Sequence, residues 1–188
     1  MDALILKQIK DKENRAIYTE FIAILFNQYP SIKGSISIDF HTLDKVMTLQ
    51  EVDAMAFQLT LQLQALEARG FSMLLWQPCD ILVVRATPPL YILASMAQRV
   101  PLHQKDLKQF VMVYPTIYPL PRERCAPELL TIDALPFITP RSASYYSLAL
   151  LCLCQLNLSL EAIRGTKLFY FLERCLKEEP GERMLLYI

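Results

Sequence analysis

Arg124-Cys-Ala-Pro-Glu-Leu-Leu130, read together with Cys175-Leu-Lys-Glu-Glu-Pro-Gly-Glu-Arg183, decides how this chain is understood. Ala126-Pro127-Glu128 alone says little, because three such residues meet by chance in many proteins. Its weight comes from the second segment. Around both lie long apolar runs: 53% of the 188 residues are hydrophobic and 20% are charged. Such a chain buries a substantial core in a single domain, and its composition is that of a globular protein rather than a disordered one. The formal net charge of zero argues against a basic nucleic-acid binder and gives no electrostatic drive toward a membrane surface.

The second segment resembles the last helix-loop of a protein kinase large lobe, written Cys-Leu-x-x-acidic-Pro-x-x-Arg. In that family the glutamate of Ala-Pro-Glu is buried against this arginine. The resemblance therefore implies a structural ion pair between Glu128 and Arg183. A buried carboxylate needs a partner, and a planar guanidinium satisfies both of its oxygens. The expected fold is α+β: a mainly helical protein kinase-like large lobe at 41–188, and a reduced small lobe at 1–40 that lacks the Gly-rich strands. Together they make a single truncated domain, 1–188.

Other stretches keep the family's order. Ala3-Leu-Ile-Leu-Lys-Gln-Ile9 reads on its own as a half-buried strand or the first turn of a helix. It also resembles the kinase strand Val-Ala-x-Lys, which would make Lys7 the phosphate-contacting lysine. Ile17, Phe21, Ile24 and Leu25 recur at helical spacing until Tyr29-Pro30. That helix resembles the kinase regulatory helix, with Glu20 as the lysine's partner; the plain reading of Glu20 is a solvated helix residue. Residues 35–40 alternate as a strand does, and His41-Thr-Leu-Asp-Lys45 resembles the hinge and short helix that follow.

Thr48-Leu-Gln-Glu51 fits a capping box. The helix it opens runs to about Arg69, with Val52, Met55, Ala56, Leu59, Leu63 and Leu66 on one face and Gly70 ending it. Gln77-Pro-Cys-Asp-Ile-Leu-Val83 is similar to the kinase catalytic loop Lys-Pro-x-Asn-Ile-Leu-Val. Counting back, His-Arg-Asp becomes Met73-Leu74-Leu75, and the lysine becomes Gln77. Asp80 stands at the metal-binding asparagine, either as a cation ligand or as a loop carboxylate making local bonds. Thr87-Pro-Pro89 turns between two strands, and Ala94-Ser95-Met96 replaces Asp-Phe-Gly. Residues 98–121, with Pro101, Pro115, Pro119 and Pro121, read as an irregular loop holding one short strand at 110–114. The run 145–156 reads as a buried helix resembling the large lobe's central one, with Ser144 where an aspartate would anchor the catalytic loop.

Kinase-type phosphoryl transfer rests on a positioned metal and nucleophile, and the resemblance implies that both are lost. No catalytic residue and no metal ligand is expected. Lys7, Glu20 and Asp80 are remnants of an ATP site. The expected role is a pseudokinase that binds another protein as a scaffold or regulatory module, without nucleic acid or membrane and without a cofactor. The alternatives are a weak, serine/threonine-type kinase using ATP and magnesium at that reduced site, or a structural subunit of a larger assembly. His41 and His103 lie at no ligand spacing. Five cysteines without a Cys-x-x-Cys pair suit buried thiols in a reducing, intracellular and cytoplasmic setting. There is no signal peptide pattern, and 145–156 is too short to cross a bilayer.

Overall fold

The computed structural model describes residues 2–9, 11–30, 32, 40–43, 46–105, 108–113 and 120–183. Its core is organised by helix α3, Leu49–Ala68. The Thr48 side chain accepts from the Glu51 backbone N–H at 3.3 Å, while the Glu51 carboxylate accepts from the Thr48 N–H at 2.8 Å. Two donors that the first turn leaves open are thereby satisfied. The expected apolar face is fully buried, and Gly70 ends the helix at φ +80°, where a side chain would be strained.

Against α3 pack α2 (Arg15–Gln28), α4 (Ser142–Leu156) and α5 (Lys167–Cys175). α2 buries Tyr18, Phe21, Ile22 and Leu25. α4 buries Leu148, Ala149, Leu151 and Cys152. α5 starts at Thr166, whose hydroxyl accepts from the Phe169 N–H at 3.1 Å. The N-terminal helix α1 (Asp2–Gln8) adds Ile5 to the same hydrophobic cluster. The strand that the kinase resemblance implies around Lys7 is thus a helix. Among the described residues the run pairs with no strand, whereas a helix lets Ile5 reach the core.

Two antiparallel sheets complete the fold. The first has the order β1 (Phe40–Thr42), β3 (Ile81–Val84), β4 (Leu90–Leu93). The turn at Thr87-Pro-Pro89 joins its last two strands, pairing Ile81 with Leu93 and Val84 with Leu90. Residues 35–39 lie outside the described residues, as do 44 and 45 of the stretch 41–45 that resembles a hinge and short helix; residues 41 and 42 of that stretch belong to β1.

The second sheet has the order β2 (Phe71–Met73), β5 (Arg99–Lys105), β6 (Lys108–Val113), β7 (Phe137–Pro140). It corrects the reading of 98–121 as mostly irregular. β5 and β6 form a hairpin, and β7 was not expected at all. Val111 and Val113 face inward and join Val100, Leu74, Leu75, Ala126 and Leu129 in a second, smaller core. The Arg141 N–H reaches the Gln109 carbonyl at 3.3 Å, so alternation turns Pro136, Ile138 and Pro140 toward the outer edge. Proline there costs no ladder bond and blunts the edge.

The outer edge of β4 is closed differently. Two glutamines one turn apart on α3 act as surrogate peptide groups. Gln58 donates to the Pro89 carbonyl at 3.0 Å and accepts from the Tyr91 N–H at 2.8 Å. Gln62 donates to the Tyr91 carbonyl at 2.8 Å and accepts from the Leu93 N–H at 2.9 Å. Both side chains are fully buried, and this exchange satisfies them. No helix among the described residues is long and apolar enough to cross a membrane.

Candidate functional site

A cleft of about 550 Å³ separates the α1–α2 corner from the β3–β4 hairpin. Asp11, Glu13 and Asn14 line one wall, and Cys79, Ile81, Leu82 and residues 94–97 line the other. Asp11 is held internally. Its Oδ2 accepts from the Asn14 amide at 2.7 Å and the Tyr18 hydroxyl at 3.0 Å, and its Oδ1 accepts from the Asn14 N–H at 3.3 Å. Burial alone would raise its pKa, but these bonds together with nearby Arg99 leave it lowered, so it stays ionised. Arg99 reaches across to the Asn14 side-chain oxygen at 2.6 Å and covers the Phe71 ring, tying this corner to β2 and β5. Among the described residues lining the cleft there is no lysine or arginine.

Asp80 closes the three-ten turn Pro78–Asp80 that leads into β3 and is buried. Burial raises its carboxyl pKa despite hydrogen bonds from the Ser95 side chain and the Gln77 backbone. The Ala94 N–H donates to the Asp80 carbonyl at 2.7 Å, so Asp80 and the start of the 94–96 segment lock each other. Among the described residues no group of three His, Cys, Asp or Glu side chains is placed to hold a metal.

The remaining candidates do not join Asp80. Lys7 is exposed on α1 and lines a separate pocket. Glu20 pairs with Arg69 Nε at 2.6 Å, at the end of α3. The Lys7–Glu20 pair implied by the resemblance is therefore not formed, because α2 commits Tyr18, Phe21 and Ile22 to the core and turns Glu20 toward α3.

Met73, Leu74 and Leu75 are all buried and serve as core. The loop after them is nonetheless anchored to α4, through Ser144 and Ser147. Ser144 Oγ lies 2.9 Å from Ser72 Oγ, and its carbonyl accepts from the Trp76 indole N–H at 3.1 Å. One turn on, Ser147 Oγ accepts from the Trp76 backbone N–H at 3.2 Å. Glu67, which sequence reading passed over, completes this buried polar group. Its Oε2 accepts from Arg141 at 2.8 Å and from the Tyr145 hydroxyl at 3.2 Å. Burial still raises its pKa. Nothing in the amino-acid pattern distinguishes Glu67 from the solvated residues of α3; only its long-range partners do.

Glu128 and Arg183 are brought together. Arg183 donates from its two terminal nitrogens to the two Glu128 oxygens, at 2.6 and 2.9 Å. It also donates to the Lys177 and Glu178 carbonyls at 2.8 and 2.9 Å, and it stacks over the Tyr146 ring at 4.7 Å.

The five cysteines are free thiols, with Cys125, Cys152 and Cys175 buried and Cys79 and Cys154 exposed. Burial pushes Cys125 up to about 11 and Cys175 up to about 12, so neither is a nucleophile near neutral pH. His103 stacks on Phe110 within the β5–β6 hairpin. The side chain of His41 lies outside the described residues. Neither a protein-family model nor a curated protein matches the chain.

Proposed function

We propose that this chain is a catalytically inactive protein kinase-like domain that serves as a protein-binding scaffold or regulatory module. The observation that carries the reading is the fork between Glu128 and Arg183, joining the two segments on which the resemblance rests. It supports a retained scaffold. Beside it, Leu74 and Leu75 fill core where His-Arg-Asp chemistry would need polar groups. The cleft argues in the same direction. A nucleotide triphosphate would meet the carboxylates of Asp11 and Glu13, with no described cation among the lining residues to offset its charge. Asp80 is a single buried carboxylate, and one carboxylate makes a poor magnesium site.

The test is a thermal melt with and without ATP and magnesium, at fixed ionic strength. A ligand binding only the folded state at about 100 times its dissociation constant adds roughly 2.7 kcal/mol. The expected result is no magnesium-dependent shift. A clear one would replace this reading with a nucleotide-using enzyme.

A further inference from the structure

The geometry points to a binding site for a phosphoryl group in the pocket between α1 and α2, outside the cleft. Its volume is about 250 Å³, below the roughly 300–1,000 Å³ of sites that enclose drug-sized ligands. It therefore fits a small group or the end of a larger molecule. Lys7 from the last turn of α1, Lys12 from the connection and Arg15 from the first turn of α2 all line it.

These three cations form no ion pair among the described residues, unlike Arg69, Arg141, Arg164, Lys177 and Arg183. The lining carboxylate, Asp11, is ionised, but its oxygens are occupied by Asn14 and Tyr18. Three positive charges against one negative leave two uncompensated around a concavity, in a protein whose total charge is zero. Like charges held together cost free energy unless an anion joins them. A phosphoryl group carries about −1.5 to −2 at neutral pH and presents three strong acceptor oxygens, which matches both the charge and the three donors.

The test is calorimetric titration of the full chain with inorganic phosphate at constant ionic strength. The expected result is saturable binding, weakened at least about tenfold in Lys7→Gln/Lys12→Gln/Arg15→Gln. Lys167→Gln, the charge change of one of these substitutions made at an exposed position on α5, leaves it unaltered. All three pocket residues are exposed, so folding is expected to survive. The single variants Lys12→Gln and Arg15→Gln, each weakening binding, provide a second measurement. A phosphoserine peptide is the second arm. Tighter binding than free phosphate identifies a phosphorylated side chain as the source, and equal binding identifies the free ion; either supports the site. Non-saturable binding, or equal affinity in the triple variant, overturns it. An ATP-induced melting shift that Lys12→Gln/Arg15→Gln abolishes and magnesium does not alter belongs to this pocket and leaves the pseudokinase reading in place. A shift that requires magnesium overturns that reading alone.

Discussion

Arg183 holds Glu128 by both carboxylate oxygens although 55 residues separate them, and its own side chain is fully buried while that of Glu128 is 16% exposed. The guanidinium is thus the member that cannot return to water. Arg183→Ala leaves Glu128 and the Lys177 and Glu178 carbonyls without their donor and empties the space over Tyr146. Breaking a buried pair from one side costs about 3–5 kcal/mol. The melting temperature is expected to fall by roughly 10 °C in a domain of this size. Arg183→Lys keeps the charge but not the fork and should lie between. A loss for Arg183→Ala indistinguishable from that of a surface arginine would sink the structural role.

The glutamines on α3 make a second prediction. Gln62→Ala removes the acceptor for the Leu93 N–H and the donor for the Tyr91 carbonyl. Each orphaned buried group costs about 1–3 kcal/mol. Gln58→Ala does the same at Tyr91 and Pro89. Because the two side chains hold the N–H and the carbonyl of the same residue, Tyr91, the pair belongs to one network. Urea denaturation of both single variants and the double should show coupling beyond about 0.5 kcal/mol; strict additivity would show the two acting separately.

Glu67 predicts a pH dependence. Burial raises its folded pKa above the unfolded value. Stability from this group is then fully present below the unfolded pKa, near 4.3, and is lost as pH rises through the higher folded pKa. Glu67→Gln removes the titration. The stability of the natural chain relative to this variant should therefore decline as pH is raised from about 4 toward neutrality. A difference that is flat, or that grows with pH, contradicts the sign.

Trp76, the single tryptophan, is 1% exposed and bonded to Ser144 and Ser147. Its fluorescence should be that of a dry indole and shift to longer wavelength on unfolding. Ser147→Ala strands the Trp76 N–H at a cost of about 1–3 kcal/mol. An unchanged unfolding midpoint for this variant would mean the bond is not holding the loop.

Much of this architecture is legible in the chain. Helix α3 announces itself through Thr48, Glu51, its apolar repeat and Gly70, all local signals. The β3–β4 hairpin follows from Thr87-Pro-Pro89, and Glu128 with Arg183 from two recognisable segments. What escapes is what depends on distant partners. Gln58, Gln62 and Glu67 look like solvent-facing helix residues until β4, Arg141 and Tyr145 are in place. Prolines disguise the second sheet, since Pro101 sits inside β5 opposite Phe71 and Pro136 and Pro140 bracket β7 on its unpaired side. Lys7 and Glu20 resemble an ion pair only by residue type along the chain, and the packing of α1 and α2 sends them to different neighbours.

The two glutamines also act as a ruler. Four residues of helix advance about 6.0 Å and two residues of strand about 6.7 Å, so an amide at position 58 and another at position 62 can each meet the next outward peptide of β4. The near-match works for one repeat and fails for any slip, because a one-residue displacement would put the amides opposite residues whose N–H and carbonyl groups point the other way, toward β3. Helix α3 and the hairpin therefore travel as one part. If the cleft changes width, the displacement falls on the Asp11–Asn14 corner, whose tether to the rest is Arg99.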